Sequence, residues 1–174
     1  TLLDKFAARM NHGEGTCVGK PLPGVDVRII PVGATHGSPA PQGEIGEIIV
    51  SSPTTTRKYF NRPEQTAASK LSADGAHFHR MGDVGYFDAE GNLWFCGRAN
   101  HVVHTAEGPL YPDQVEGVFN AQQDVVRSAL IGYPVGAEEQ IAAVVVQPIN
   151  GKGRPLDLKK FAEDLQKVAS SCKA

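Results

Sequence analysis

Three residues in the stretch from His79 to Gly108 have types and spacing that suit a nucleoside. Asp83 follows Gly82 and precedes an alternating apolar run, which places it at the entrance to a strand. Its carboxylate only accepts hydrogen bonds, with two oxygens, and a ribose offers two adjacent hydroxyl donors. Arg98 lies fifteen residues later, beyond a turn of sequence DAEGN whose Gly91 supplies a positive φ. The chain goes out along one strand and back along the next, so Arg98 can return beside Asp83. Its planar, permanently charged fork suits ribose oxygens or phosphate. Phe95, three residues before Arg98, offers a flat apolar wall to a purine. From spacing alone, a surface Asp, a strand-end Arg and a core Phe remain the competing reading.

The elements that would hold these residues follow from periodicity. Residues 2–10 suit a turn or two of amphipathic helix, stopped by Asn11, His12 and Gly13. Strands are expected at 25–30 and 44–51, joined by the turn-rich loop 33–43, and at 84–88 and 93–96. Pro63 opens a short helix over 63–71. Residues 101–105 and 109–111 form a candidate hairpin around Glu107 and Gly108. A helix over 112–120 places Val115, Val118 and Phe119 on one face, strands follow at 125–131 and 141–146, and Asp157 caps a helix over 158–170. That helix carries Leu158, Phe161, Leu165 and Val168 on one stripe. The class is α+β, with a β-rich segment over 1–97, a junction at 98–100 and an α+β segment over 101–174.

Composition narrows the function. A net charge of −2 gives no field to attract nucleic acid or an anionic membrane. No apolar run reaches the roughly 20 residues of a membrane span. Three cysteines, Cys17, Cys96 and Cys172, are odd in number and widely spaced, which favours a reducing cytoplasm over a disulfide framework. The start, TLLDKFAARM, has neither an initiator Met nor a signal peptide's apolar stretch and reads as part of a longer chain.

Other motifs carry less. Residues 13–20, GEGTCVGK, fail as a phosphate loop because Pro21 stands where Ser or Thr must follow the Lys; a turn is expected there. His77, His79, His101 and His104 with Cys96 would have to converge to hold Zn²⁺, and solvated or hydrogen-bonded histidines are the expectation, so no metal site is assigned. Cys96 lies inside the apolar run LWFC with no base beside it and reads as a packing residue.

Five phrases in register resemble the adenylate-forming superfamily of acyl-CoA synthetases, peptide-synthetase adenylation domains and luciferases. They are VGKPLPGVDVRI (18–29), GEIGEIIV (43–50), YFNRPEQT (59–66), GDVGYFDAEGNLWFCGR (82–98) and LYPDQVEGVF (110–119). The resemblance implies that Asp83 binds the ribose hydroxyls, with Met81 where the family has Thr. It implies that Arg98 contacts the nucleotide and Phe95 flanks the base. Asn100 falls at the hinge about which a mobile C-terminal domain swings, where the family usually has Asp or Lys. Residues 1–97 would then be the β-rich end of the large N-terminal domain, and 101–174 an incomplete C-terminal domain.

The family's phosphate loop, its Mg²⁺-holding Glu motif and its late catalytic lysine have no counterpart here, and Lys173 lacks the surrounding motif. No catalytic residue is therefore expected in the chain. ATP and Mg²⁺ are implied for the full-length parent, whose partners would be a fatty acid, ATP and the rest of its own N-terminal domain. The family's Ser-Gly acceptor turn becomes Ala106-Glu107-Gly108-Pro109, which leaves CoA use open. The phrases at 79–98 and 104–120 resemble the bacterial olefin-biosynthesis branch, often labelled fatty-acid–CoA ligases, which closes a β-hydroxyacyl adenylate to a β-lactone. An ordinary long-chain acyl-CoA synthetase and a non-catalytic protein-binding module are the rival readings.

Overall fold

The computed structural model describes residues 2–136, 139–149 and 157–171. Packing divides the chain into two compact units, one of residues 17–100 and one of residues 1–16 with 101–174.

The first unit is built on a six-stranded sheet. Its strands are β1 (Thr16–Gly19), β2 (Asp26–Ile30), β3 (Gly46–Ser51), β4 (Lys70–Ala73), β5 (Ala76–Phe87) and β6 (Leu93–Arg98), with α2 (Pro63–Ser69) before β4. The order is β1-β6-β5-β3-β2, and β4 also pairs with β5. Along one edge of β5, β4 pairs with residues 76–79 and β6 with residues 83–87, so β5 changes partner between them. The core gathers Ile30, Ile49 and Phe78, all fully buried, with Leu71, Ala73 and Ala76 against them. Trp94, Cys96 and Val84 are also fully buried. Each large side chain withdrawn from water contributes about 1.5–3 kcal/mol.

Two features pin the strands of this sheet at fixed separations. Buried Glu47 on β3 holds Arg80 on β5 in a two-pronged ion pair, while Arg80 Nη1 donates to the Ala34 carbonyl at 2.9 Å. Gly46 and Gly85 face each other across β3 and β5. A Cβ on Gly85 would lie 2.3 Å from the Trp94 carbonyl oxygen, which is backbone and cannot swing aside. Gly85→Ala is therefore expected to destabilise the chain by about 2–3 kcal/mol, read as a lower urea midpoint; an unchanged midpoint refutes the close approach.

The second unit contains α1 (Leu2–Asn11), β7 (Val103–Thr105), β8 (Gly108–Leu110), α3 (Pro112–Asn120), β9 (Val125–Pro134), β10 (Gln140–Pro148) and α4 (Leu158–Ser171). A Cβ on Gly117 would lie 2.8 Å from the Met10 carbonyl oxygen, so glycine is what lets α1 rest on α3. Helix α1 thus groups with the segment after residue 100, not with the β-rich segment that directly follows it in sequence. β9 and β10 form an antiparallel ribbon. Helix α3 caps its edge: Asn120 Oδ1 accepts Ser128 N–H at 2.6 Å and Glu116 Oε1 accepts Leu130 N–H at 2.9 Å. Asp157 caps α4 through Lys159 and Lys160 N–H, both at 3.1 Å. Phe161, Leu165 and Val168 are the half-buried stripe of α4; the side chain of Leu158, together with Cys172 and Lys173, lies outside the described residues.

Three elements differ from the sequence expectations. Residues 16–19 form a strand where a turn was expected, β4 was not foreseen, and β5 begins at Ala76 instead of residue 84. Each of these segments is short or glycine-interrupted and gains its strand state from neighbours in the sheet, a tertiary effect that local pattern does not carry.

Candidate functional site

The β5–β6 hairpin presents Asp83, Arg98 and Phe95. Its turn is fixed by Asp88, which is buried. Asp88 Oδ1 accepts the N–H groups of Glu90 (3.1 Å) and Asn92 (2.8 Å), and Oδ2 accepts Asn92 Nδ2 (3.0 Å) and Trp94 Nε1 (2.8 Å). Gly91, at φ +78°, closes the turn by donating to the Asp88 carbonyl at 3.0 Å. With the turn locked, the register is locked, and Asp83 stands directly opposite Arg98.

Two bulges then aim the side chains. On β6, Gly97 pairs with Val84 and Phe95 with Gly85, leaving Cys96 as an extra residue. Opposed residues share a face of a sheet, and residues two apart on β5 share a face. Phe95 therefore falls on the face of Asp83 and Arg98. In a regular strand, a separation of three would have placed Phe95 and Arg98 on opposite faces. On β5, Glu47 pairs with Val84 but Ile49 with Arg80, so Met81–Asp83 bulge out of the β3 ladder. Gly82 sits there at φ +71°, a conformation other residues adopt only with strain.

The electrostatics of the corner are unbalanced. Arg98 Nη1 lies 3.0 Å from Asp83 Oδ1, and the Asp83 side chain is only 18% exposed. Nη1 also donates to the Met81 carbonyl at 3.2 Å. Asp83 Oδ1 is buried and meets the Arg98 guanidinium as an ion pair. A carboxylate has two oxygens, so one cation does not exhaust what it can accept. An acceptor beside a permanent positive charge suits the hydroxyls of a ribose.

Burial pushes the Asp83 carboxyl above its ordinary value of 3.8, and the attraction of Arg98 only partly offsets it. The fold thus favours the neutral acid. The stability gained from it is full below pH 3.8 and is lost as pH rises through the raised value. Asp83→Asn, neutral at every pH, is expected to melt at a higher temperature than the native chain at pH 7, the gap closing toward pH 3.8. A variant that melts lower at pH 7 would contradict this.

The remaining candidates lie elsewhere. Asn100 is exposed in the single 3₁₀ turn Ala99–His101, where the chain passes from one unit to the other. Glu107 and Gly108 belong to the second unit: Ala106 and Glu107 form the β7–β8 turn, and Gly108, at φ +131°, opens β8. Thr105 Oγ1 shapes that turn by accepting Glu107 N–H at 3.2 Å and donating to the Gly108 carbonyl at 2.9 Å. His79 Nδ1 lies 3.2 Å from Lys70 Nζ and 3.1 Å from the Ser69 carbonyl, and Cys96 is fully buried. Among the described residues, no three of His, Cys, Asp and Glu gather as a metal-holding group.

Sequence reasoning passed over three contributors: Asp88, the Glu47–Arg80 pair and the bulge at Cys96. Asp88 left a usable signal, an Asp followed by Gly, Asn and Trp at three, four and six residues. The other two left none.

No family model matches the chain. It is 47% identical over 162 residues to the olefin beta-lactone synthetase of Stenotrophomonas maltophilia, a match covering 86% of this chain and 29% of that protein. To the olefin beta-lactone synthetase of Xanthomonas campestris pv. campestris it is 45% identical over 161 residues, covering 84% and 28%. Among solved structures, ATP-bound MatB from Rhodopseudomonas palustris matches with a TM-score of 0.70 and 31% identity, over 86% of this chain and 29% of that one. The amide bond synthetase McbA from Marinactinospora thermotolerans matches with a TM-score of 0.70 and 31% identity, over 87% and 29%. The chain thus spans about 29% of the length of the curated relatives it matches. Sequence and fold agree: the chain belongs to the adenylate-forming superfamily of acyl-CoA-synthetase-like enzymes.

Proposed function

We propose that this chain is the C-terminal part of a longer, ATP-dependent enzyme that activates a long-chain β-hydroxy acid and closes it to a β-lactone. In the first step a carboxylate oxygen attacks the α-phosphorus of ATP, the bond to the β-phosphate breaks, and pyrophosphate leaves. In the second, the substrate's own hydroxyl oxygen attacks the acyl carbon, AMP departs, and the hydroxyl proton passes to a base or to solvent. Mg²⁺, held by residues outside this chain, would neutralise charge on the phosphates.

This chain's own residues bind and orient. Asp83 accepts from the ribose hydroxyls, Arg98 places a positive charge beside them, and Phe95 lies against the base. Positioning of this kind supplies a large share of the acceleration in such reactions. Residues 1–97 are assigned to the large domain, although α1 groups here with the segment after residue 100; 98–100 are assigned to the hinge at Asn100 and 101–174 to the mobile domain, with a reducing cytoplasm as the compartment. The observation that carries the reading is the pairing of Asp83 with Arg98 across the β5–β6 hairpin. The names of the relatives at 45–47% identity favour lactone closure over transfer to CoA. Glu107, exposed on the turn that would line an acceptor tunnel, adds bulk and negative charge against a phosphate-bearing acceptor.

The test supplies the full-length protein with ATP and a long-chain β-hydroxy acid, without CoA. Lactone is expected by mass spectrometry. Strict dependence on CoA would assign the protein to the acyl-CoA synthetases instead, and absence of ATP or AMP binding would leave a protein-binding module. The 174-residue chain alone is expected to release no pyrophosphate from ATP and fatty acid.

A further inference from the structure

The β7–β8 hairpin has only three residues on each strand, too few to hold an orientation by its own ladder. Pro109, opposite His104, has no N–H to contribute. The hairpin is instead held from outside. His104 N–H points to β10, where Gln140 Oε1 accepts it at 3.0 Å. Gln140 lies at the start of β10, paired with Pro134. Its side chain reaches His104 by crossing Gly132 on β9. A Cβ on Gly132 would lie 2.6 Å from Gln140 Nε2, 2.7 Å from Cδ and 2.9 Å from Oε1. The glycine is thus the space through which the amide passes.

We propose that Gln140, admitted by Gly132, is a positioning residue that latches the hairpin carrying Glu107 and Gly108, and so sets the turn for the second step of the reaction. Its catalytic consequence rests on the proposed function; the latch itself is a matter of one hydrogen bond and one missing side chain. Under the proposed function the turn belongs to the step that consumes the adenylate and not to the one that forms it, so the two steps respond differently when the latch is removed.

The experiment uses the full-length protein, with pyrophosphate release, consumption of the acyl adenylate and amide exchange at His104 as three readouts. Gln140→Ala is expected to leave pyrophosphate release within about twofold while adenylate consumption slows about tenfold, the size of effect that small misplacement produces. Exchange at His104 accelerates in the same variant. Gln140→Glu keeps an oxygen acceptor at the same reach and restores both His104 protection and adenylate consumption. Gly132→Ala reproduces the loss by displacing the amide, and Gly132→Ala combined with Gln140→Ala is no slower than Gln140→Ala alone. Unchanged adenylate consumption in Gln140→Ala, or losses that multiply in the double variant, would overturn the latch. A native protein that releases no pyrophosphate would overturn the proposed function, while His104 exchange still decides whether the hydrogen bond exists.

Discussion

Replacing Asp83 with alanine in the full-length protein is expected to lower kcat/KM for adenylate formation by about 10²- to 10³-fold. A hydrogen bond to a charged acceptor is worth about 1.5–3 kcal/mol, and a ribose would make two. Their sum, discounted for cooperation between neighbouring hydroxyls, is about 3–4 kcal/mol, or two to three decades in rate. Arg98, 58% exposed, loses its ion-pair partner but can turn to water, so the fold itself should survive. ATP–pyrophosphate exchange measures the effect and a melting curve separates it from unfolding. Exchange within threefold of the native rate would remove Asp83 from the nucleotide site. Asp83→Asn sharpens the contrast, because it is expected to be better folded at neutral pH yet still catalytically poor. A residue whose replacement gains stability and loses activity marks a functional compromise in the fold.

Asp88→Ala is the second large expectation, and it acts on stability. The substitution leaves Trp94 Nε1, Asn92 N–H and Asn92 Nδ2 without their acceptor in a buried place. Unsatisfied buried donors cost about 1–3 kcal/mol each, and partial relaxation brings the total to about 3–5 kcal/mol. The turn then no longer dictates which β6 residue opposes Asp83, so nucleotide affinity falls as well. Urea unfolding of the variant beside the native chain tests the first part. A loss under about 1 kcal/mol would mean that the turn is held by backbone bonds alone. Asp88→Asn, which keeps one carbonyl acceptor, is expected to fall between the two.

The Asp83–Arg98 corner was partly legible in the sequence because a tight turn makes its geometry local. DAEGN fixes the return of the chain, and counting back from it brings Arg98 to Asp83. The same counting does not by itself bring Phe95 to them. Alternation along LWFCGR assigns Phe95 and Arg98 to opposite faces, and only the unpaired Cys96 restores agreement. A bulge of this kind is decided by how two strands meet, so one strand's pattern cannot announce it. The Glu47–Arg80 pair shows the same limit at longer range: its members are 33 residues apart and each looks like an ordinary surface charge. Strand β4 was hidden for a related reason. Lys-Leu-Ser-Ala has weak strand preference, and it is extended because His79, Phe78 and His77 offer it a ladder. By contrast α3, α4 and the β9–β10 ribbon follow their own periodicity and were readable.

The extra residue at Cys96 also limits what can be rebuilt. Deleting it would let β6 pair evenly with β5, a change that looks like an improvement in regularity. The ring of Phe95 would then be carried to the far side of the sheet, while the carboxylate and guanidinium stayed where they are. A grafted copy of this corner must therefore carry the irregularity with it, since the three side chains share a face only because one strand is a residue too long.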